Sequence, residues 1–526
     1  MHKFNLIIIK TAVAFFTVAF ALNLVTGMSL LRDNFYFQKY FYKMQWDWAK
    51  SEIEFIKFYH GGFGAWLRAK KQEKPIAPNE SAQSIPVLLY HGVIDDSDWE
   101  PDEVNISFAN FKKHMFALKK AGYETITLND YIAFSKGEKD LPEKSFLLTF
   151  DDGRKDSFFG ADPVLRTVDY TAVMYVITGR SLDMSDQKSP FHLSKLELEK
   201  MIESSRWQIG SHTQNGHGDI IIGPDGEKGH FMSNLMWKEE YKRFETREEY
   251  IERIEQDLKN SKSEIKNVLG VKGISFAYPF GDFGQASENF PASREILPKL
   301  VDPIFPLSFR QAGNNQYPIN YSEGPSLSKR INIASNVSAK DLLAILESNE
   351  EKPLDDKIYY IKDTDWQKSW GDIEAIDNAL FVGNSEWEDS AMTFLGGSYL
   401  WKNYDVQASA SIIKGNNFSI STRFKDENNY ASCEYSDTRV VLFQRSGGIE
   451  KPFIEKDIFT NIVGRKTEVS MRAQNNWVGC YLDGNLIVSG NLDNNLDHGG
   501  LGFKVWDSTG KGVIIKLENL IIKKLP

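Results

Sequence analysis

The apolar run Phe146-Leu147-Leu148-Thr149-Phe150 feeds straight into Asp151-Asp152-Gly153, and this junction constrains the fold more than any other stretch. Side chains alternate between faces along a strand. Where the strand ends and the backbone turns at Gly153, both carboxylates can reach one cleft. Two carboxylates that close repel, and both stay ionised only beside compensating positive charge. A divalent cation supplies that charge. Sixty residues on, Ser211-His212-Thr213-Gln214-Asn215-Gly216-His217 brings two imidazoles close together in sequence. One acid and two imidazoles, with coordination positions left over, are the donor set of a catalytic zinc-type site.

The pattern around this junction alternates strand and helix. Ile85 to Tyr90 reads as a buried strand, and Phe108, Phe111, Met115 and Leu118 recur at helical spacing up to Gly122. Strands are expected at Phe146–Phe150, Ala172–Ile177, Trp207–Ser211 and Ile274–Tyr278. Ser194 with Glu197, and Thr246 with Glu249, fit capping boxes that open helices, the second running towards Leu269 and Gly270. This β-α alternation predicts a parallel sheet closed as a distorted (β/α) barrel. Barrel enzymes place their chemistry at the C-terminal strand ends, where Asp151, His212 and Phe280 fall. After about residue 353 the texture changes to strand-length runs, among them Phe418–Arg423, Tyr430–Tyr435, Trp477–Leu482 and Val513–Leu517, with a hairpin signal at Asp483-Gly484-Asn485. That half is expected to be an antiparallel β-sandwich. The expected domains are therefore 1–32, a signal anchor; 33–84, an aromatic-rich helix and linker; 85–352, the barrel; and 353–526, the sandwich.

Thr149-Phe150-Asp151-Asp152-Gly153, Ser211-His212-Thr213 and Ala277-Tyr278-Pro279-Phe280-Gly281 follow one another in an order and spacing that resemble the three leading motifs of the polysaccharide deacetylase (NodB-type, carbohydrate esterase family four) superfamily. The resemblance covers roughly residues 85 to 350. Most of that family spaces its two histidines four apart, whereas His212 and His217 are five apart, which resembles the branch of biofilm poly-N-acetylglucosamine deacetylases. Gly229-His230-Phe231 through Trp237, and Glu245 to Tyr250, resemble the same branch. The sandwich resembles laminin-G or concanavalin-like jelly rolls by pattern alone.

The resemblance implies hydrolysis of N-acetyl groups on an N-acetylhexosamine polysaccharide of the cell envelope or matrix. It implies Asp152, His212 and His217 as ligands of a divalent metal (Zn2+, with Co2+, Ni2+ or Fe2+ as alternatives), and Asp151 as the base that activates the water this metal holds. The late Leu-x-His motif that supplies the acid in most relatives is absent, since no histidine lies between His230 and His498. His91, at the end of the first strand, takes that role, with His230 as the weaker substitute. Pro279-Phe280-Gly281 is expected to turn so that the Phe280 N–H faces the oxyanion, with Tyr278 and Asp282 bordering the pocket. Arg330 is expected to bond a catalytic carboxylate or a surface acid, and Arg154 to face solvent. Rival readings are a carbohydrate-binding envelope protein on an inactive deacetylase fold, and an O-acetyl esterase.

Residues Thr11 to Leu31 carry no charge and follow Lys3 and Lys10, the pattern of an anchor with a basic cytoplasmic side. A cleaved signal peptide is the alternative. Either way the remainder is expected outside, on the outer face of the cytoplasmic membrane or secreted. The aromatics between Asn34 and Tyr59 then fit either the lipid headgroup zone or packing on the barrel domain. A net charge of -10 argues against nucleic acid as a partner. The two cysteines, Cys433 and Cys480, fit a disulfide or two buried thiols equally well, and Trp401, Trp477 and Trp506 are candidates for sugar stacking or for core.

Overall fold

The computed structural model describes residues 35–65, 81–182, 189–313, 316–322, 324–354, 362, 365–384, 389–451, 454–458, 462–507, 510 and 512–526. It divides into two compact units: the chain up to Gln311 with Ile319–Leu343, and Ala312–Pro318 with Ala344–Pro526.

The first unit is a closed barrel. Its parallel strands are β1 (Val87–Tyr90), β2 (Ser145–Phe150), β3 (Ala172–Val176), β4 (Trp207–Ser211), β5 (Ser275–Ala277), β6 (Leu307–Gln311) and β7 (Leu327–Asn332). Each pairs with the next in sequence, and β7 returns to β1. Every residue of β1, β2 and β3 is buried, as expected of parallel strands covered on both faces. The barrel is filled by Val87, Leu147, Val173, Tyr175 and Phe309. Gly210 in β4 leaves the room in which the Tyr175 ring lies, and Tyr175 donates its hydroxyl to Ser275 Oγ at 3.1 Å.

Outside the barrel lie α1 (Phe35–His60), α2 (Phe108–Ala121), α3 (Lys155–Val168), α4 (Lys195–Glu203), α5 (Arg247–Leu269) and α6 (Ser293–Val301). Gly122 ends α2 in the left-handed region at φ 88°, where a side chain would be strained. Both expected capping boxes form, at Ser194 with Glu197 and at Thr246 with Glu249. The aromatic helix α1 packs on the barrel's helices: Tyr40 stacks on Phe159 at 4.8 Å, the Arg166 guanidinium lies 3.5 Å over Trp48, and Phe55 meets Phe116 at 4.9 Å. Its other side exposes Tyr42, Trp46 and Ile53. Among the described residues no helix is long and apolar enough to cross a membrane, and the expected anchor at 11–31 lies outside them.

The second unit is an antiparallel sandwich. Its strands are β8 (Trp366–Trp370), β9 (Asp372–Ile376), β10 (Ala379–Asn384), β11 (Ser390–Leu395), β12 (Tyr404–Lys414), β13 (Asn417–Asp426), β14 (Asn429–Ser436), β15 (Arg439–Ser446), β16 (Thr467–Gln474), β17 (Trp477–Leu482), β18 (Asn485–Asn491), β19 (Gly500–Trp506) and β20 (Val513–Lys524). One sheet runs β8-β11-β19-β13-β14-β15, with short strands at its edge; the other runs β9-β10-β20-β12-β16-β17-β18. Ile420, Phe503 and Val505 of the first meet Val406, Val469 and Ile515 of the second in one core. Cys433 of β14 and Cys480 of β17 form a disulfide that joins the two sheets. Trp401 is core: it is buried and donates its indole N–H to the Lys352 carbonyl at 2.8 Å, which removes it as a sugar platform. Trp477 and Trp506 are half-buried.

Candidate metal centre

The site gathers at the C-terminal ends of the barrel strands. Asp151 and Asp152 follow β2, His91 follows β1, His212 follows β4 and Phe280 follows β5. Asp152, Thr213 and Phe280 hold φ of 70°, 76° and 59°, left-handed values that cost a non-glycine residue about 1–3 kcal/mol each and collect where function demands them.

Three groups converge. One ligand atom each from Asp152, His212 and His217 lies within 4.8 Å of the others. His217 Nε2 is 3.1 Å and His212 Nε2 3.6 Å from Asp152 Oδ1. The His212 Nδ1–H donates to the Ala277 carbonyl at 2.7 Å, which leaves Nε2 as the lone-pair face towards Asp152. Burial drives the His212 pKa down to about 4, so the ring is neutral and able to ligate. Asp152 Oδ1 is buried and makes no hydrogen bond of good geometry, although two imidazoles face it. Burial opposes its ionisation, but the contact with His217 and the charge of His212 outweigh this and hold its pKa well below the usual carboxylate range. An unprotonated oxygen and two imidazole nitrogens aimed at one point are the donors a Zn2+-like cation takes, so the residues fit such an ion.

Asp151 stands apart from this trio. Arg330, fully buried in β7, donates both Nη groups to it at 2.6 and 2.7 Å. Burial raises the Asp151 pKa, and the Arg330 guanidinium with His212 more than reverses that, so the carboxylate is ionised. The His91 Nδ1 is buried with no hydrogen-bond partner among the described residues. Burial lowers its pKa, against the opposing pull of Asp151 and Asp152.

The Pro279-Phe280-Gly281 turn forms, with the Gly281 N–H bonded to the Tyr278 carbonyl at 3.0 Å. Gly281 has φ 67° and packs so closely on Gln311 that a Cβ there would collide. Phe280 is 47% exposed; its ring stacks on His230 at 4.5 Å and tilts against His217 at 4.6 Å. Two expected pocket residues sit deeper than the sequence implied. Tyr278 is fully buried against Phe276, because its side chain faces the helices rather than the cleft. Asp282 is buried too, accepting from Ser233 at 2.6 Å, from the Gly284 and Ala286 amides, and from His230 Nδ1 at 2.7 Å. Asp282 therefore reaches the cleft through His230.

Arg154 is also corrected: it is buried, not solvent-facing, bonds Asp156 with two nitrogens at 2.9 and 2.7 Å, and lies 4.7 Å over the Phe191 ring. Residue reading missed two positioning groups. The Asp257 carboxylate of α5 accepts the Gln214 and Asn215 amides at 2.9 and 2.7 Å, which fixes the loop between the two histidines. His192 Nδ1 is 3.1 Å from the Asp152 carbonyl. An acid on the buried face of α5 was the available signal for the first; the second had none.

The polysaccharide deacetylase family model matches residues 138–293. The chain is 23% identical over 303 residues to the poly-beta-1,6-N-acetyl-D-glucosamine N-deacetylase of Escherichia coli K12, covering 55% of this chain and 43% of that protein. It is 27% identical over 128 residues to the protein of the same name from Staphylococcus aureus MRSA252, covering 23% and 41%. The chain thus spans less than half the length of the curated relatives it matches. A solved de-N-acetylase from Aggregatibacter actinomycetemcomitans aligns at 22% identity and a TM-score of 0.43, covering 50% of this chain and 99% of that one. Residues 138–293 hold all three motifs, and with the barrel and the converged acid and histidines they make this part of the chain a polysaccharide deacetylase domain of the NodB type.

Proposed function

We propose that the chain is a metal-dependent de-N-acetylase of an N-acetylhexosamine polysaccharide, exported and held at the outer face of the cytoplasmic membrane. The carrying observation is the convergence of Asp152, His212 and His217 beside an Asp151 that Arg330 keeps ionised. Asp152, His212 and His217 would hold the ion, taken as Zn2+, which when bound would supply positive charge to polarise an acetyl carbonyl and to acidify water. Asp151 accepts the proton of the attacking water; its two bonds to Arg330 aim it and keep it anionic. The Phe280 N–H faces the oxyanion, and His91 gives a proton to the leaving nitrogen. Burial disfavours the His91 imidazolium, while the Asp151 and Asp152 carboxylates favour it. The relatives' printed names support an N-acetylglucosamine polymer as substrate. The Cys433–Cys480 disulfide supports an oxidising compartment.

The test is acetate release from N-acetylglucosamine oligomers with added zinc or cobalt. Asp151→Asn is expected to keep metal and lose at least a hundredfold in rate. His212→Ala is expected to lose both metal, read by elemental analysis, and rate. Binding of the glycan without acetate release would favour a non-catalytic glycan-binding protein; release from O-acetylated oligomers alone would favour an esterase.

A further inference from the structure

One end of the sandwich carries a polar cavity, far in sequence from the metal ligands. It measures about 260 Å³ and is lined by Lys402, Asn403, Asn475, Asn476, Asn494 and Asp497, among others. Its walls come from three segments: the approach to β12, the β16–β17 turn and the loop after β18. These segments are braced to one another. Asn403 Oδ1 accepts the Asn475 amide at 2.8 Å, the Asn476 carbonyl accepts the Leu492 amide at 2.6 Å, and Gln444 Oε1 accepts the Asp493 amide at 3.1 Å. The cavity is therefore built before any ligand arrives, which lowers the ordering cost of binding.

Its exposed groups point to the ligand. The side chains of Asn475, Asn476, Asn494 and Lys402 belong to the cavity lining and are exposed, so their donors and acceptors are open to a ligand. The two acids at the rim are engaged: Lys425 lies 3.0 Å from Asp497, and Lys451 3.4 Å from Asp493. Behind the wall, fully buried Arg423 donates to the Asn475 and Trp401 carbonyls at 2.9 and 3.3 Å; its Nε has no partner, and no carboxylate pairs with it among the described residues. With both acids paired, Lys402 is the charge left over among the lining residues, and the Arg423 cation lies behind the wall.

Amide groups that both donate and accept match hydroxyls and an acetamido group, and the positive surplus disfavours an ammonium. We propose that this cavity binds one neutral N-acetylated hexose residue of a polysaccharide and discriminates against the deacetylated, cationic residue. The identity of the sugar rests on the function proposed above. A site of this kind would hold unreacted glycan on the chain that carries the barrel domain and release it once its amines are exposed.

The experiment is saturation-transfer NMR on the full chain with N-acetylglucosamine and, separately, glucosamine, which removes any dependence on linkage. Asn475 has φ 54°, so Asn475→Gly keeps its backbone shape, and it is combined with Asn494→Ala. Sugar held by the barrel contributes equally to both proteins, so the difference between them reports the cavity. The cavity's share of N-acetylglucosamine binding, read as that difference, is expected to be lost at least tenfold in the double variant, and glucosamine to bind the unsubstituted chain more weakly than N-acetylglucosamine. Lys402→Glu, at an exposed position, is the second variant and is expected to shift the preference towards glucosamine. A folded double variant that binds as the unsubstituted chain does, or no change of preference with Lys402→Glu, overturns the proposal. Acetate release is measured on the same samples: its absence sinks the deacetylase reading and leaves the cavity result standing.

Discussion

Arg330 and Asp151 form a buried ion pair whose worth lies in what happens when half of it is removed. Arg330→Met fills similar volume but strands the Asp151 carboxylate without its two donors. Loss of one partner of such a pair costs about 3–5 kcal/mol, so urea denaturation of this variant should show the barrel destabilised by that amount, and an unchanged midpoint would mean that another group compensates Asp151. His230 offers a pH signature instead. The hydrogen bond to Asp282 raises its pKa above the ordinary histidine value, despite some burial. The stabilisation is then complete below about pH 6.5, where the unfolded chain is also protonated, and disappears as pH rises through the raised folded value. The melting temperature of the unsubstituted barrel should exceed that of His230→Gln near pH 6, and the gap should close by pH 9; a constant gap would assign His230 a packing role alone. Asp151, Asp152, His212 and His217 were legible because each group is local in sequence. Asp257, His192 and the Asp282–His230 contact were not, because each depends on where a distant segment returns. Tyr278 was misplaced for a related reason: a motif states adjacency to the cleft but not which way the side chain of the last strand residue turns.

At the scale of elements, the barrel was readable because its strands are continuous apolar runs and its helices carry local start and stop chemistry, from the boxes at Ser194 and Thr246 to the glycine after α2. The sandwich was read less completely. The centre of β12, Ala408, Ser409, Ala410 and Ser411, lacks the β-branched and aromatic residues that mark a strand, and its place is set by pairing with β20 and β16. Charged and polar residues obscure β8 and β9 in the same way. Within the barrel, β4 depends on the absence of a side chain at Gly210. A Cβ there would enter the Tyr175 ring, which also lies 5.4 Å from the Arg330 guanidinium. Gly210→Ala should therefore destabilise the barrel by about 1–3 kcal/mol, and should lower acetate release further by displacing Arg330 from Asp151. Full activity in a folded Gly210→Ala protein would show that the Tyr175 ring moves without disturbing that pair.

The molecule as a whole joins two units with separate cores, and only one of them is cross-linked. Cys433 and Cys480 are 47 residues apart in sequence and sit on different sheets, so the bond closes a long loop of the unfolded sandwich and ties its two layers. The chain-entropy account gives such a closure about 4 kcal/mol. The sandwich core is made of aliphatic and aromatic side chains from both sheets and does not include the metal-site residues. Replacing both cysteines by serine should therefore lower the denaturant midpoint of one transition, the sandwich's, while zinc binding at Asp152, His212 and His217 stays as it was. Unfolding followed separately by tryptophan fluorescence and by zinc release checks this, since the first reports both units and the second only the barrel. If zinc release moved to lower denaturant together with the fluorescence change, the two units would unfold as one cooperative body. The disulfide would then stabilise the catalytic site as well as the sandwich that carries it.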